Sequence, residues 1–252
     1  MKGGLGRKLS ASLATTGRYA ALVDIGHSHR NIQGGGARAA VFGISDGLVS
    51  NVALILGMAG AHASAGAVRL AGVAGLIAGS FSMAAGEYIS MRAQSELMQR
   101  ELDVERLAIR HDPEVERKEL AAIYESRGID AALARELSVK MMRDPEIALE
   151  THAREELGIN PEETGNPLQA AGSSFVMFAV GAFVPLLPWL TTHGTLATSW
   201  SIVLGGLAAL GVGAALALFT GRWWPWSAAR QLLISGLAAA VTYAVGHLVG
   251  SG

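Results

Sequence analysis

The chain has 252 residues, of which 50% are hydrophobic and 16% are charged, with a formal net charge of −1. No basic tract with interleaved aromatic residues is present, which argues against a nucleic-acid-binding protein. The sequence contains no cysteine, so disulfides, cysteine-ligated zinc and iron–sulfur ligation are excluded.

The first 37 residues are predicted to form a cytoplasmic N-terminal tail. They contain no long apolar segment followed by a cleavage site, so we expect no cleavable signal peptide. His27 and His29 lie in this tail beside a run of glycines, and the composition indicates disorder rather than a metal site.

Five apolar stretches are each long enough to cross about 30 Å of hydrocarbon, which takes about 20 helical residues. They occupy residues 39–61, 70–91, 168–190, 200–219 and 228–249. Five buried core helices of a soluble protein would need far more polar covering than this chain supplies. The sequence therefore predicts an all-α integral membrane protein with spans 1 and 2 in residues 38–91 and spans 3 to 5 in residues 167–252.

The distribution of lysine and arginine predicts the orientation of the chain. The tail and residues 92–166 are rich in both, whereas the loop between spans 1 and 2 has only Arg69 and the loop between spans 3 and 4 has neither. By the positive-inside rule the tail and residues 92–166 lie in the cytoplasm. We expect a bacterial inner membrane, or a vacuolar membrane if the source is a eukaryote.

Residues 92–166, here called the insert, contain 18 of the 21 acidic residues of the chain. Span 2 is predicted to continue without a break to about residue 111, followed by helices at 113–127, 130–143 and 145–157. Asp112, Asp144 and Asn160 each precede a proline, a pattern typical of helix starts. Gly128 and Gly158 are predicted to end helices.

Several insert side chains have the spacing of neighbours on one helix face. The pairs are Glu101 with Glu105, Glu116 with Glu119, and His152 with Glu156. Carboxylate and imidazole together suit Fe²⁺, Mn²⁺, Co²⁺ or Zn²⁺. The alternative is a solvated face with salt bridges, because arginine and lysine are interleaved. The sequence has no Glu-x-x-His motif, which counts against a di-iron oxidase.

Asp46 and Glu87 are the only acidic residues in the five apolar stretches. An ionisable group in a bilayer is costly and indicates a functional site. Met83 and Glu87 are one helical turn apart, and a carboxylate with a thioether is a reasonable site for a borderline cation. The alternatives are a basic partner for Asp46, simple packing for Met83 and an ordinary snorkelling charge for Glu87.

Small residues at GxxxG spacing favour close helix contacts in spans 1 and 2. They are Gly43 with Gly47, and Gly75 with Gly79. The pattern is common in membrane helices and is compatible with packing inside one chain or with dimerisation.

Taken together, these motifs resemble the vacuolar iron transporter family over residues 36–250. The matching segments are Gly-Ile-Ser-Asp-Gly-Leu-Val at 43–49, Gly-Ser-Phe-Ser-Met-Ala-Ala-Gly-Glu-Tyr at 79–88, the acidic insert, Glu-Glu-Leu-Gly at 155–158 and Ala-Phe-Val-Pro-Leu-Leu-Pro at 182–188. The resemblance implies a five-span homodimer that moves Fe²⁺, and often Mn²⁺, out of the cytoplasm in exchange for protons. The ion path would run between the protomers, lined by spans 1 and 2.

The resemblance also implies roles for single residues. The essential span 1 aspartate matches Asp46 and the span 2 methionine matches Met83. The insert's metal-binding glutamates match Glu105, Glu116, Glu119 and Glu156. The chain differs from some relatives at Ala108, His152 and Gly75, where they carry Glu, Met and an acid.

The resulting hypothesis is a secondary transporter, not an enzyme, with no prosthetic group. Divalent metal ions, with Zn²⁺ and Co²⁺ as further candidates, and protons are the expected substrates. The bilayer and a second copy of the chain are the expected partners. An alternative makes the insert a metal sensor or buffer, and a third makes the protein a membrane-bound ferroxidase.

Overall fold

The computed structural model describes residues 35–161 and 165–251. The tail with His27 and His29 lies outside the described residues, as do residues 162–164 of the insert. Within the described ranges the chain forms eight helices and no strand, which confirms the all-α prediction. The helices are α1 Gly35–Gly60, α2 Ala65–His111, α3 Pro113–Ser126, α4 Ala131–Met141, α5 Pro145–Glu155, α6 Pro167–Thr191, α7 Gly194–Thr220 and α8 Trp224–Gly250.

Five of these helices, α1, α2, α6, α7 and α8, are long and apolar enough to cross a membrane. The prediction of a multi-pass membrane protein is confirmed. All five helices begin before the predicted apolar stretches, by one residue in α6 and by four to six residues in the others. The apolar stretch marks only the hydrocarbon, whereas a helix continues through the polar and aromatic residues of the interface.

Helix α2 is a single helix of 47 residues, as its lack of proline and glycine after residue 87 predicted. Ser64 caps its start by accepting a hydrogen bond from the Ala67 N–H over 3.2 Å. At about 1.5 Å per residue the helix is about 70 Å long, more than twice the hydrocarbon thickness. It therefore joins the membrane part to the insert without a hinge.

The insert helices begin largely where their capping residues predict. Asp144 caps α5 by accepting hydrogen bonds from the next backbone N–H groups, and Gly128 after α3 has a positive φ of 90°. Asp112 takes the N-cap position of α3, but its side chain makes no capping bond, which corrects the prediction. Asp112 also ends α2 with its own N–H, so its backbone turns between two helices. Residue 161 lies in a turn, and the next helix starts at Pro167.

Helices α1 and α6 pack backbone to backbone in the centre of the membrane part. A Cβ atom on Gly47 would collide with the carbonyl group of Phe178, and one on Gly43 would lie 2.8 Å from the Ser174 carbonyl oxygen. The GxxxG pair of α1 therefore serves packing within the chain. A neighbouring face of α1, which carries Phe42, Asp46 and Ser50, is exposed in the single chain and lines the cavity described next.

Candidate metal sites in the membrane and the insert

A cavity of about 470 Å³ lies between α1 and α2. It brings together Asp46 from α1 with Met83 and Glu87 from α2, the three membrane residues singled out in the sequence. Ser50 and Asn51 also line it. The lining thus combines carboxylate, thioether, hydroxyl and amide groups, which are ligands for a borderline divalent cation.

Asp46 is exposed on the surface of the single chain, although it lies in the middle of a membrane-spanning helix. Ser50 donates a hydrogen bond over 2.6 Å to the backbone carbonyl oxygen of Asp46, not to its carboxylate. Within residues 35–161 and 165–251, no lysine, arginine or histidine forms a salt bridge with Asp46. The alternative of a basic partner therefore finds no support in the described part of the chain.

Glu87 lies at the end of the cavity that adjoins the insert. Its Oε1 accepts a hydrogen bond from Nη2 of Arg38 over 3.1 Å, and its side chain is only 15% exposed. Arg38 stands in the first turn of α1. The sequence does not single out Arg38 as a site residue, because nothing in a linear pattern relates it to a residue 49 positions away.

A second group of ligands lies in the insert, where three helices meet. Glu105 from α2, Glu116 from α3, and His152 with Glu156 from the end of α5 each offer one atom, and these atoms lie within 4.8 Å of one another. His152 Nδ1 is 3.1 Å from Glu105 Oε1, 3.8 Å from Glu116 Oε2 and 3.3 Å from Glu156 Oε2. One nitrogen and three carboxylates suit Fe²⁺, Mn²⁺, Co²⁺ or Zn²⁺.

Three members of this insert group are buried, unlike the acids on the insert surface, whereas Glu156 is exposed. His152 is fully buried, and Glu105 and Glu116 are 7% and 8% exposed. Burial first, and then the charge of Glu156, raise the pKa of Glu105 to about 7, while His152 opposes the shift. Burial likewise raises the pKa of Glu116. Two or more carboxylates held close together in a low dielectric need a cation or a proton between them.

Two buried atoms of the group, Glu105 Oε1 and His152 Nε2, make no hydrogen bond of good geometry among the described residues, although Glu105 Oε1 lies 3.1 Å from His152 Nδ1. An unpaired buried carboxylate oxygen is costly, and a bound cation would compensate it. With His152 Nδ1 facing the three carboxylates, this nitrogen is the one that would bind the ion, after giving up any proton that it carries.

Glu101 and Glu119 contribute no atom to the insert group. Glu119 is exposed, but its charge is near enough to raise the pKa of Glu105. The interleaved basic residues pair with other acids on the surface. These pairs include Arg106 with Asp103, Arg117 with Glu114, and Arg92 with Glu96. The solvated face and the buried ligand group are thus formed by different residues of the same helices.

The chain is similar to known proteins over most of its length. The family model described as the VIT family matches residues 37–247. A vacuolar iron transporter from Acanthamoeba castellanii is 34% identical, with 94% of this chain and 91% of that protein covered. Vacuolar iron transporter 1 from Arabidopsis thaliana is 32% identical over 84% of this chain and 85% of that protein. The resemblance found in the sequence is confirmed, and the chain belongs to the VIT family.

Proposed function

We propose that this protein transports Fe²⁺, with Mn²⁺ as a further substrate, out of the cytoplasm in exchange for protons. The observation that carries the proposal is the cavity in which Asp46, Met83 and Glu87 meet inside the membrane part. The names of the relatives, vacuolar iron transporters, support iron as the substrate. The membrane would be a bacterial inner membrane, or a vacuolar membrane in a eukaryote.

The insert would capture the metal first. Glu105, Glu116, His152 and Glu156 converge on one point and hold more negative charge than their surroundings compensate. A divalent ion removes the repulsion between these carboxylates, and this relief supplies a large part of the free energy of binding. His152 adds a nitrogen ligand, and this favours transition metals over Mg²⁺ and Ca²⁺.

The cavity would then carry the ion through the membrane. Glu87 stands at the end near the insert, and Met83 lies one turn deeper along α2. Asp46 faces them from α1. A proton arriving from the far side would neutralise Asp46, and a neutral acid both binds a cation poorly and is cheaper to hold in a low dielectric. Protonation would thus release the metal, and loss of this proton to the cytoplasm would return the site to its charged starting state.

A second copy of the chain would complete the path. Asp46 is exposed on the outer face of α1, where lipid would otherwise surround it, and a charged group in hydrocarbon costs at least a few kcal/mol. Phe42 and Leu54 on the same face are also exposed. A two-fold dimer would cover this face with the same face of the partner and enclose the carboxylates of both copies.

Transport by Asp46→Asn in proteoliposomes tests the proposal. The substitution keeps the size of the side chain and removes its charge, so we expect Fe²⁺ flux to fall at least about tenfold. Glu96→Gln is the matched control, because Glu96 is exposed and pairs with Arg92 outside the cavity. Equal flux in Asp46→Asn and the wild type would contradict the mechanism.

A metal sensor or buffer is the second candidate function. The insert group and the cavity are far apart, since Glu87 and Glu105 lie about 27 Å apart along α2 at about 1.5 Å per residue. Such a separation suits gating through a rigid helix as well as delivery. Transport by Glu116→Ala distinguishes a sensor from a delivery site. A sensor predicts a changed metal threshold with an intact maximal flux, whereas a delivery site predicts a lower flux at limiting metal.

A further inference from the structure

Asn51 is a buried amide in the wall of the membrane cavity. It lies five residues after Asp46 on α1, and its side chain is only 3% exposed. At about 1.5 Å per residue it is about 7.5 Å farther along the helix axis from the insert than Asp46. An ion that enters beside Glu87 and reaches Asp46 would therefore meet Asn51 next.

A hydrogen bond fixes which way this amide points. Nδ2 of Asn51 donates to the backbone carbonyl oxygen of Ala182 on α6 over 2.6 Å. A carbonyl oxygen only accepts, so the NH₂ group has to face α6 and Oδ1 has to face away from it. The side chain is thus held in one orientation by a neighbouring helix.

The oxygen of Asn51 faces Gly75 on α2, which also lines the cavity. A Cβ atom on Gly75 would lie 3.0 Å from Asn51 Oδ1 and 2.6 Å from Cδ2 of Leu54. The absence of a side chain at position 75 leaves the room that the amide occupies. In the described part of the chain, no donor makes a hydrogen bond to Oδ1, so its lone pairs remain available on the cavity side.

We infer that Asn51 Oδ1 is a ligand of the transported cation, the neutral oxygen that receives the ion after Asp46. An amide oxygen is a hard, uncharged ligand of the kind that Mn²⁺ and Fe²⁺ accept readily. It does not titrate, so it holds the ion equally well when Asp46 is protonated. It therefore gives the ion a place to go at the moment when the carboxylate loses its charge. This inference rests on the proposed transport function.

Metal transport by Asn51→Leu in proteoliposomes, with initial rates measured over a range of Mn²⁺ and Zn²⁺ concentrations, tests the inference. Leucine keeps the approximate volume and removes the oxygen. We expect the KM for Mn²⁺ to rise about tenfold and that for Zn²⁺ less than about threefold, because Zn²⁺ depends less on oxygen ligands.

Gln231→Leu is the matched control. Gln231 is also a buried membrane amide, 6% exposed, and donates one hydrogen bond over 2.6 Å to Ser45 Oγ, but it lies outside the cavity lining. Both variants lose one buried hydrogen bond and should unfold at a lower temperature. Only Asn51→Leu should change the KM for Mn²⁺. An equal change in both variants, or none in Asn51→Leu, would overturn the inference.

Gly75→Ala keeps the test decisive if Asn51→Leu does not fold. The added methyl group would lie 3.0 Å from the Asn51 oxygen and 2.6 Å from Leu54 Cδ2, so it crowds the oxygen and pushes Leu54 aside without altering Asn51 itself. We expect the same preferential rise of the KM for Mn²⁺, and an unchanged KM would count against a ligand role. Wild-type protein that carries no metal would instead refute the proposed function, so the two failures are distinguishable.

Discussion

Arg38 and Glu87 form an ion pair at the end of the membrane cavity nearest the insert, with Arg38 Nη2 3.1 Å from Glu87 Oε1. The arginine is 69% exposed, whereas the glutamate is 15% exposed. The pair joins the first turn of α1 to the middle of α2. A metal ion that binds Glu87, as proposed, would have to displace the guanidinium group from Oε1, so Arg38 would compete with the substrate at the proposed entrance.

Arg38→Gln should therefore make metal entry easier. An exposed ion pair contributes up to about 1 kcal/mol, so the KM for Fe²⁺ should fall about two- to fivefold, and Glu87→Gln should raise it. Arg92→Gln is the control, because Arg92 pairs with Glu96 outside the cavity. Initial rates of uptake into proteoliposomes give the KM values. A higher KM in Arg38→Gln would contradict competition at the entrance.

The insert group predicts that neighbouring glutamates of α3 differ sharply in metal binding. Glu116 is buried among the ligands, whereas Glu114, two residues away, is exposed and pairs with Arg117. Glu116→Ala should weaken Mn²⁺ binding at least about tenfold and Glu114→Ala less than about twofold. Calorimetric titration of the whole detergent-solubilised protein measures both. Glu119→Ala should weaken Mn²⁺ binding by a factor between those of the other two variants, since Glu119 acts only through its charge.

Metal binding to the insert should strengthen as the pH rises through about 7. The pKa of Glu105 is raised to about 7 by burial and then by Glu156, so below that pH a proton competes with the metal. Titration with Mn²⁺ at about pH 6 and about pH 8 should give a clearly higher affinity at the higher pH. Affinity that is flat across this range would contradict a ligand role for a Glu105 whose pKa is raised to about 7.

The stability of the metal-free protein should have the opposite pH dependence. The folded-state pKa of Glu105 lies above its ordinary value of 4.5, so the folded protein binds more protons than the unfolded chain between these values. Glu105 therefore destabilises the fold as the pH rises from about 4.5 to about 7. Thermal unfolding in a chelator should show this decline, and Glu105→Gln should reduce it.

The cysteine-free sequence allows a direct test of the predicted homodimer. Phe42 lies on the face of α1 that carries Asp46 and is 64% exposed, whereas Leu233 on α8 is equally exposed at 68%. Phe42→Cys should form a disulfide-linked dimer on oxidation in the membrane, and Leu233→Cys should not. Cross-linking through Leu233→Cys alone would place the interface on α8 and leave Asp46 uncovered.

The membrane helices could be predicted from the sequence because length and apolar composition determine them locally. The start of α6 at Pro167 lies one residue before the predicted stretch 168–190. The helix start expected after Asn160 is not found at residue 161, which lies in a turn, whereas Asn166 caps α6 with its side-chain oxygen accepting bonds from the next N–H groups. An asparagine before a proline therefore does not by itself determine where a helix starts.

Helical spacing in the sequence predicted only part of the insert ligand group. Helical spacing placed His152 with Glu156, and this pair is present with Nδ1 3.3 Å from Oε2. The same spacing placed Glu101 with Glu105, but only Glu105 reaches the point where α5 meets α2. Periodicity identifies a shared face and says nothing of where along that face another helix crosses. Asn51 could not be identified as a ligand from the sequence, because the orientation of its amide depends on a carbonyl group of α6.

Simultaneous recording of Fe²⁺ entry and interior pH in proteoliposomes tests the central claim most directly. Wild-type protein should carry Fe²⁺ inward while the interior becomes alkaline, as protons leave in exchange, and Asp46→Ala should show neither change. Iron entry without a change in interior pH would contradict proton coupling. Full coupled flux in Asp46→Ala would contradict the role assigned to the membrane cavity.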